Sequence, residues 1–167
     1  MQGDSFLQAE NVWLEGQPDA PNNPRLPVRI HRCVLPPGEP EAAELLFASN
    51  GWPPAWRDGI LSYVHFHSTA HEALAIARGE VAVRLGGEAG QDFVLKAGDV
   101  VMLPAGTGHQ CLEASDDLLV VGAYPAGQRP DQHRAIVEQS AELRARIARL
   151  PDPPSCPVTG EAVPRRP

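Results

Sequence analysis

From Ile60 to Tyr124 the chain runs as short apolar or alternating stretches parted by turn residues. The stretches are "ILSYVHFH", "EALAIARGEVAVRLGG", "DFVLKAGDVVMLPAG", "GHQCLEAS" and "DLLVVGAYP", with turns at Gly79-Glu80, Gly86-Gly87 to Gly90, Ala97-Gly98-Asp99, Ala105 to Gly108 and Ser115-Asp116. Turns about every 8 to 12 residues predict an all-β sandwich or barrel and not strands alternating with helices. Upstream, "LPVRIHRCVL" (Leu26 to Leu35) reads as a further strand, and Glu39 to Gly51, "EPEAAELLFASNG", as a short helix closed by Asn-Gly. "WPPAWRD" reads as a loop. Past Pro130, Ile136, Val137, Leu143, Ile147 and Leu150 recur near helical spacing, which predicts an amphipathic helix over 131–150, capped by Asp131 and packed on the barrel. The resulting plan is an irregular segment at 1–25, a barrel at 26–130, that helix, and a tail at 151–167. The tail is too rich in proline for regular structure and is either a strap across the surface or disordered.

Composition narrows this picture. Eighteen prolines and 15 glycines limit helix, and 167 residues suit one domain with one core. No apolar run approaches the roughly 18 residues of a membrane span, and the start "MQGDSFLQAENVW" lacks a secretory pattern. A soluble, cytoplasmic protein is expected. Three cysteines, odd in number and widely spaced, suit a reducing compartment better than a disulfide framework. A net charge of −7 disfavours nucleic acid, whose phosphates demand clustered Lys and Arg. The expected partner is a small molecule, with no membrane surface involved.

Candidate chemistry concentrates in "YVHFHSTAHE", Tyr63 to Glu72. Alternation along a strand puts Tyr63, His65 and His67 on one face, and a turn at Ser68-Thr69-Ala70 can return Glu72 to the same interior. His109 heads another strand after a Pro-Ala-Gly-Thr-Gly turn. Three neutral imidazoles and a carboxylate form a donor set that suits a divalent transition metal: Fe, Mn, Ni, Co, Cu or Zn. His71 and Glu72 are adjacent and cannot both ligate from a regular strand. Glu72 is favoured, with His71 in the turn, behind the ligands or at the mouth, although a bulge would exchange them.

These residues resemble the cupin superfamily. Its first motif, Gly-x5-His-x-His-x3–4-Glu-x6-Gly, is met by Gly59, His65, His67, Glu72 and Gly79. Its second, Gly-x5-Pro-x-Gly-x2-His-x3-Asn, is met by Gly98, Pro104, Gly106 and His109, with Glu113 in place of Asn. Trp52 to Pro125 is similar to small bacterial single-domain cupins. The resemblance implies a double-stranded β-helix jelly roll and His65, His67, Glu72 and His109 as metal ligands. The change at 113 lies outside that set.

The same parity groups Cys111 and Glu113 with His109. Cys111 would tune the metal site, act as an oxidation-sensitive thiol, or serve as a small apolar residue. Glu113 would be a general base, or a salt-bridge partner of Arg57 or Arg84. Tyr63 would donate a phenolic hydrogen bond to substrate or belong to the core. Trp52, Trp56 and Arg57 would form a lid or anion clamp, or seal one end of the barrel. Two functions follow: a metal-dependent enzyme of oxygenase, isomerase or decarboxylase type on a small organic molecule, or a non-catalytic ligand-binding or sensing domain. The absence of any attached effector domain favours the enzyme. Related jelly rolls pair as homodimers, and Leu26 to Leu35 is the candidate for strand exchange at a free edge.

Overall fold

The computed structural model describes residues 9–135 and 139–167. Its strands are β1 (Glu10–Val12), β2 (Val28–His31), β3 (Pro54–Asp58), β4 (His65–Phe66), β5 (Glu72–Arg78), β6 (Glu80–Leu85), β7 (Gln91–Lys96), β8 (Val100–Leu103), β9 (His109–Ala114), β10 (Leu119–Ala123) and β11 (His133–Arg134). Two helices, α1 (Pro40–Ser49) and α2 (Ala141–Arg149), complete the described elements. One antiparallel sheet has the order β1-β2-β8-β5-β10-β3 and the other β11-β4-β9-β6-β7. They face each other as a jelly roll, the fold the sequence motifs imply.

The core follows from strand parity. Val28, Ile30, Leu74, Ile76, Val81, Val83, Leu85, Leu95, Val101 and Leu103 point between the sheets and fill the interior. The other faces are also buried, but under different cover. On β5, Ala73, Ala75 and Ala77 alternate with Leu74 and Ile76, and these small side chains let α1 approach through Ala43 and Phe47, with Trp52 beside them. Behind the second sheet, Phe66 and Ala105 pack beneath Leu143 and Ile147 of α2. A strand covered on both faces loses its polar alternation, which is why "EALAIA" is apolar apart from its first residue.

Three expectations are corrected. "WPPAWRD" contains strand β3, which pairs with β10 from Asp58↔Val120 to Pro54↔Ala123. Pro54 is tolerated because it is the first residue of an edge strand, where no ladder donor is required. The helix expected from Asp131 begins at Ala141, capped by Ser140, whose hydroxyl accepts from the Leu143 amide at 3.1 Å. Asp131 instead turns its carboxylate to the amides of Ser68 (2.6 Å) and Thr69 (3.3 Å), while His133 and Arg134 pair with β4. Ile136 and Val137 lie outside the described residues. Finally, β2 is not a free edge: it lies between β1, in the segment expected to be irregular, and β8.

The proline-rich tail is a strap. Trp52 Nε1 donates to the Ser155 carbonyl (2.9 Å) and Asn50 Nδ2 to that of Pro157 (2.8 Å), while Cys156 and Val158 join the core beneath α1. No helix among the described residues is long and apolar enough to cross a membrane.

Candidate metal centre

His65 and His109 come from one sheet, His67 directly follows β4 of that sheet, and Glu72 comes from the other. His65 of β4 pairs in register with His109 of β9, so their rings lie side by side with centroids 4.0 Å apart. Phe66 points outward beneath α2, and His67 returns to the inner face. Across the interior, Glu72 opens β5 with the same parity as the inward Leu74 and Ile76. All four side chains are buried.

Donor atoms of His65, His67 and His109 lie within 4.8 Å of one another. Glu72 Oε1 is 3.3 Å from His109 Nε2 and 3.5 Å from His67 Nε2. On the far side of each ring, Nδ1 meets a backbone carbonyl: Tyr63 for His65 (3.0 Å), Thr107 for His109 (2.9 Å) and Asp131 for His67. A carbonyl only accepts, so each Nδ1 carries the proton and each neutral ring presents a bare Nε2. Three lone pairs and a carboxylate then face one buried region, an arrangement costly to bury unless a cation satisfies it. Carbonyl backing of this kind is how metal-binding imidazoles are oriented, and the nitrogen-rich set with one oxygen fits a transition-metal ion.

Where a proton takes the place of a cation on Nε2 of His109 and His67, burial still raises the Glu72 pKa, but hydrogen bonds and charge from the protonated rings outweigh it and hold the carboxyl well below its usual range. Burial disfavours charge on His67 too, yet the Glu72 carboxylate and the Asp131 carbonyl carry its pKa upward. His65 is pushed down to about 4 by burial and then by repulsion from His109. The site therefore stabilises positive charge beside Glu72 and resists several protons at once.

His71 lies on the opposite face from Glu72. Its parity is that of Ala73, and it is fully buried behind the site. Nδ1 accepts from the Ala105 amide and Nε2 donates to the Pro151 carbonyl, both at 2.9 Å. With both nitrogens committed, His71 has none left for a metal. It anchors the β8–β9 turn and the start of the tail instead.

Above the four residues opens a cavity of about 360 Å³, walled by Trp56, Ile60, Leu61, Leu74 and Tyr124 and rimmed by Asp58 and Gln132. Burial, with the Glu72 charge adding to it, pushes the Tyr124 phenol up to about 12. It stays protonated at neutral pH, and its oxygen accepts from Trp56 Nε1 at 3.0 Å.

Tyr63 precedes β4 in a bend, where alternation does not hold, and the Arg134 guanidinium covers its ring at 3.7 Å. Its ring stands edge-on to that of His65, with centroids 5.9 Å apart, and its carbonyl orients that imidazole. Cys111 packs among interior apolar residues, and burial pushes its thiol up. Glu113 is exposed, because a bulge pairs Val83 with Cys111 but Ala82 with Glu113, leaving Leu112 as the extra residue that reverses the face. Among the described residues Glu113 pairs with neither Arg57 nor Arg84, which bind Glu44 (2.6 Å) and Asp92 (2.7 Å). Arg57 thus faces α1 and not the cavity. Of the two tryptophans, Trp52 is core and Trp56 is cavity wall. Tyr124 was missed, although its parity with Val120 and Gly122 in "LVVGAY" would have flagged it. Asp131 carries no local signal.

The cupin-domain family model matches residues 58–121. The uncharacterized protein YjlB of Bacillus subtilis (strain 168) is 34% identical over 144 residues, covering 86% of each chain. Among solved structures, a DUF861 family protein from Thermotoga maritima is 25% identical, over 57% of this chain and 96% of that one, with a TM-score of 0.35. Procruciferin, the 11S globulin of Brassica napus, is 13% identical over 72% and 30%, at 0.39. Streptomyces albus HEPD, solved with its substrate 2-hydroxyethylphosphonate and Fe(II) bound, is 15% identical over 88% and 28%, at 0.32. With the family model spanning both histidine motifs and a relative aligned over most of both chains, this chain belongs to the cupin superfamily.

Proposed function

We propose that the protein holds one divalent transition-metal ion through His65, His67, Glu72 and His109 and acts as an enzyme on a small organic molecule in the cavity above them. The observation that carries the metal reading is the set of three Nδ1 hydrogen bonds to backbone carbonyls, which turns three bare Nε2 atoms toward one carboxylate. Fe, Mn, Ni, Co, Cu and Zn all suit this donor set. When bound, the ion supplies Lewis acidity for a step of the oxygenase, isomerase or decarboxylase type. Ile60, Leu61 and Leu74 displace water from the substrate's apolar part. Tyr124, kept protonated, donates a hydrogen bond to substrate oxygen as negative charge develops there.

Elemental analysis of the purified protein beside His65→Ala, His67→Ala and His109→Ala tests the metal half. About one ion per chain is expected in the parent and a marked loss in each variant; equal content in all four overturns it. Oxygen uptake and product analysis, with each metal loaded in turn against a panel of small carboxylates, diketones, thiols and amines, tests the catalytic half. Turnover by no metal form leaves a binding protein and overturns that half.

A further inference from the structure

We infer that the cavity is built for a small organic cation, a molecule carrying a protonated or quaternary amine. The inference rests on the reading of this cavity as the ligand site.

Charge comes first. None of the chain's 14 Lys and Arg residues lines the cavity, and the stretches 1–8 and 136–138 contain none. The two cations closest in sequence to its wall are engaged elsewhere: Arg57 with Glu44 across the outer face of β3, and Arg134 over the Tyr63 ring. The acidic groups of the lining are Glu72, at the buried floor, and Asp58, at the exposed rim. Among the lining residues the protein therefore supplies no cationic side chain to an anionic ligand.

A receptor for positive charge is present. Trp56 and Asp58 are two residues apart on β3 and face the cavity together, while Arg57 between them faces away. Gly122 lies directly beneath the indole. A Cβ there would run into the Trp56 ring system, so the ring packs directly on the β10 backbone. Its Nε1–H is tied to the Tyr124 oxygen, which fixes its rotation. The indole is thus packed against Gly122 on one side and lines the cavity, with a carboxylate one pleat further out. Asp58 Oδ1 accepts from the Gly59 amide at 2.7 Å, and Oδ2 has no side-chain partner among the described residues. An immobilised aromatic face beside a carboxylate binds ammonium groups through the ring quadrupole and charge together. Ile60 and Leu61 complete a wall for the alkyl part of such a ligand.

Two probes of one shape isolate the charge: choline and its uncharged isostere 3,3-dimethylbutanol. A quaternary nitrogen cannot ligate a metal, so the difference between choline and the alcohol reports on Trp56 and Asp58. Calorimetric titration of the metal-loaded protein should give choline at least about tenfold tighter than the alcohol. Asp58→Asn should bring the two within about twofold, and Trp56→Leu should weaken choline binding with little effect on the alcohol. Choline no tighter than the alcohol, including no measurable binding, overturns the inference, as does an unchanged preference in Asp58→Asn. Metal content measured on the same samples separates the two readings. Protein without metal that still prefers choline sinks the metal centre alone, and metal-replete protein without the preference sinks this inference alone.

Discussion

His67 depends on a residue that supplies no donor to the metal position. The Asp131 carbonyl accepts from His67 Nδ1, and the Asp131 carboxylate accepts from the amides of Ser68 and Thr69, from the Ser68 hydroxyl and from His133 Nε2. The side chain therefore fixes its own backbone relative to β4, and through it the tautomer and tilt of one imidazole. Asp131→Ala removes those anchors and frees the carbonyl from its register. Outer hydrogen bonds of this kind are worth roughly 10- to 100-fold in metal affinity. The variant should lose that much in competition against a chromophoric chelator, with Asp131→Asn, which keeps one acceptor oxygen, falling between. Affinity unchanged in Asp131→Ala would mean that His67 holds its position without the carbonyl.

Among the elements, β3 is the one whose absence would unmake the cavity, and it is held by a close approach. Trp56 lies against Gly122 of β10, so Gly122→Ala must lift the indole or spread the two strands. Overpacking of this kind costs about 1–3 kcal/mol, readable as a shift in urea midpoint at constant slope. Losing the Tyr124 contact should also move tryptophan emission to the red. β3 further shows where the sequence stops being legible. The central strands carry their identity locally, in alternation and in turns, and the ligand spacing is equally local: His65 and His67 share a face, and Glu72 shares one with Leu74. β3 does not, because two prolines mark a loop in isolation and only pairing with a strand some 65 residues later makes it an edge. Glu113 failed for a related reason, since a bulge after Cys111 is set by pairing to β6. Asp131 looked like a helix cap because carboxylates favour both caps and turns, and its partners Ser68 and Thr69 are distant in sequence.

Across the whole molecule, the tail closes the structure from outside the sheets, and its charge locks respond to acid. Asp152 lies between Arg25 (2.9 Å) and Arg165 (2.6 Å), and Arg25 also donates to the Leu150 carbonyl at 2.9 Å, so a single carboxylate ties the end of α2, the tail and the segment before β2 together. Partial burial raises its pKa, but hydrogen bonds and charge from Arg25 and Arg165 outweigh this and hold it below the ordinary 3.8. The unfolded chain consequently binds the proton first as pH falls. The stabilisation is complete above the unfolded value and is lost as pH drops through 3.8 toward the lower folded value. Asp152→Asn cannot take part in this linkage. Its melting temperature should sit below the parent's at about pH 6 and converge on it at about pH 3, where the parent's carboxylate is being protonated as well. Because Arg165 is exposed and Asp152 only partly buried, salt should shrink the difference. A gap between parent and variant that stays constant from about pH 6 to about pH 3 would show that the strap is held by its backbone and apolar contacts through Trp52 and Cys156, with the ion pairs adding nothing.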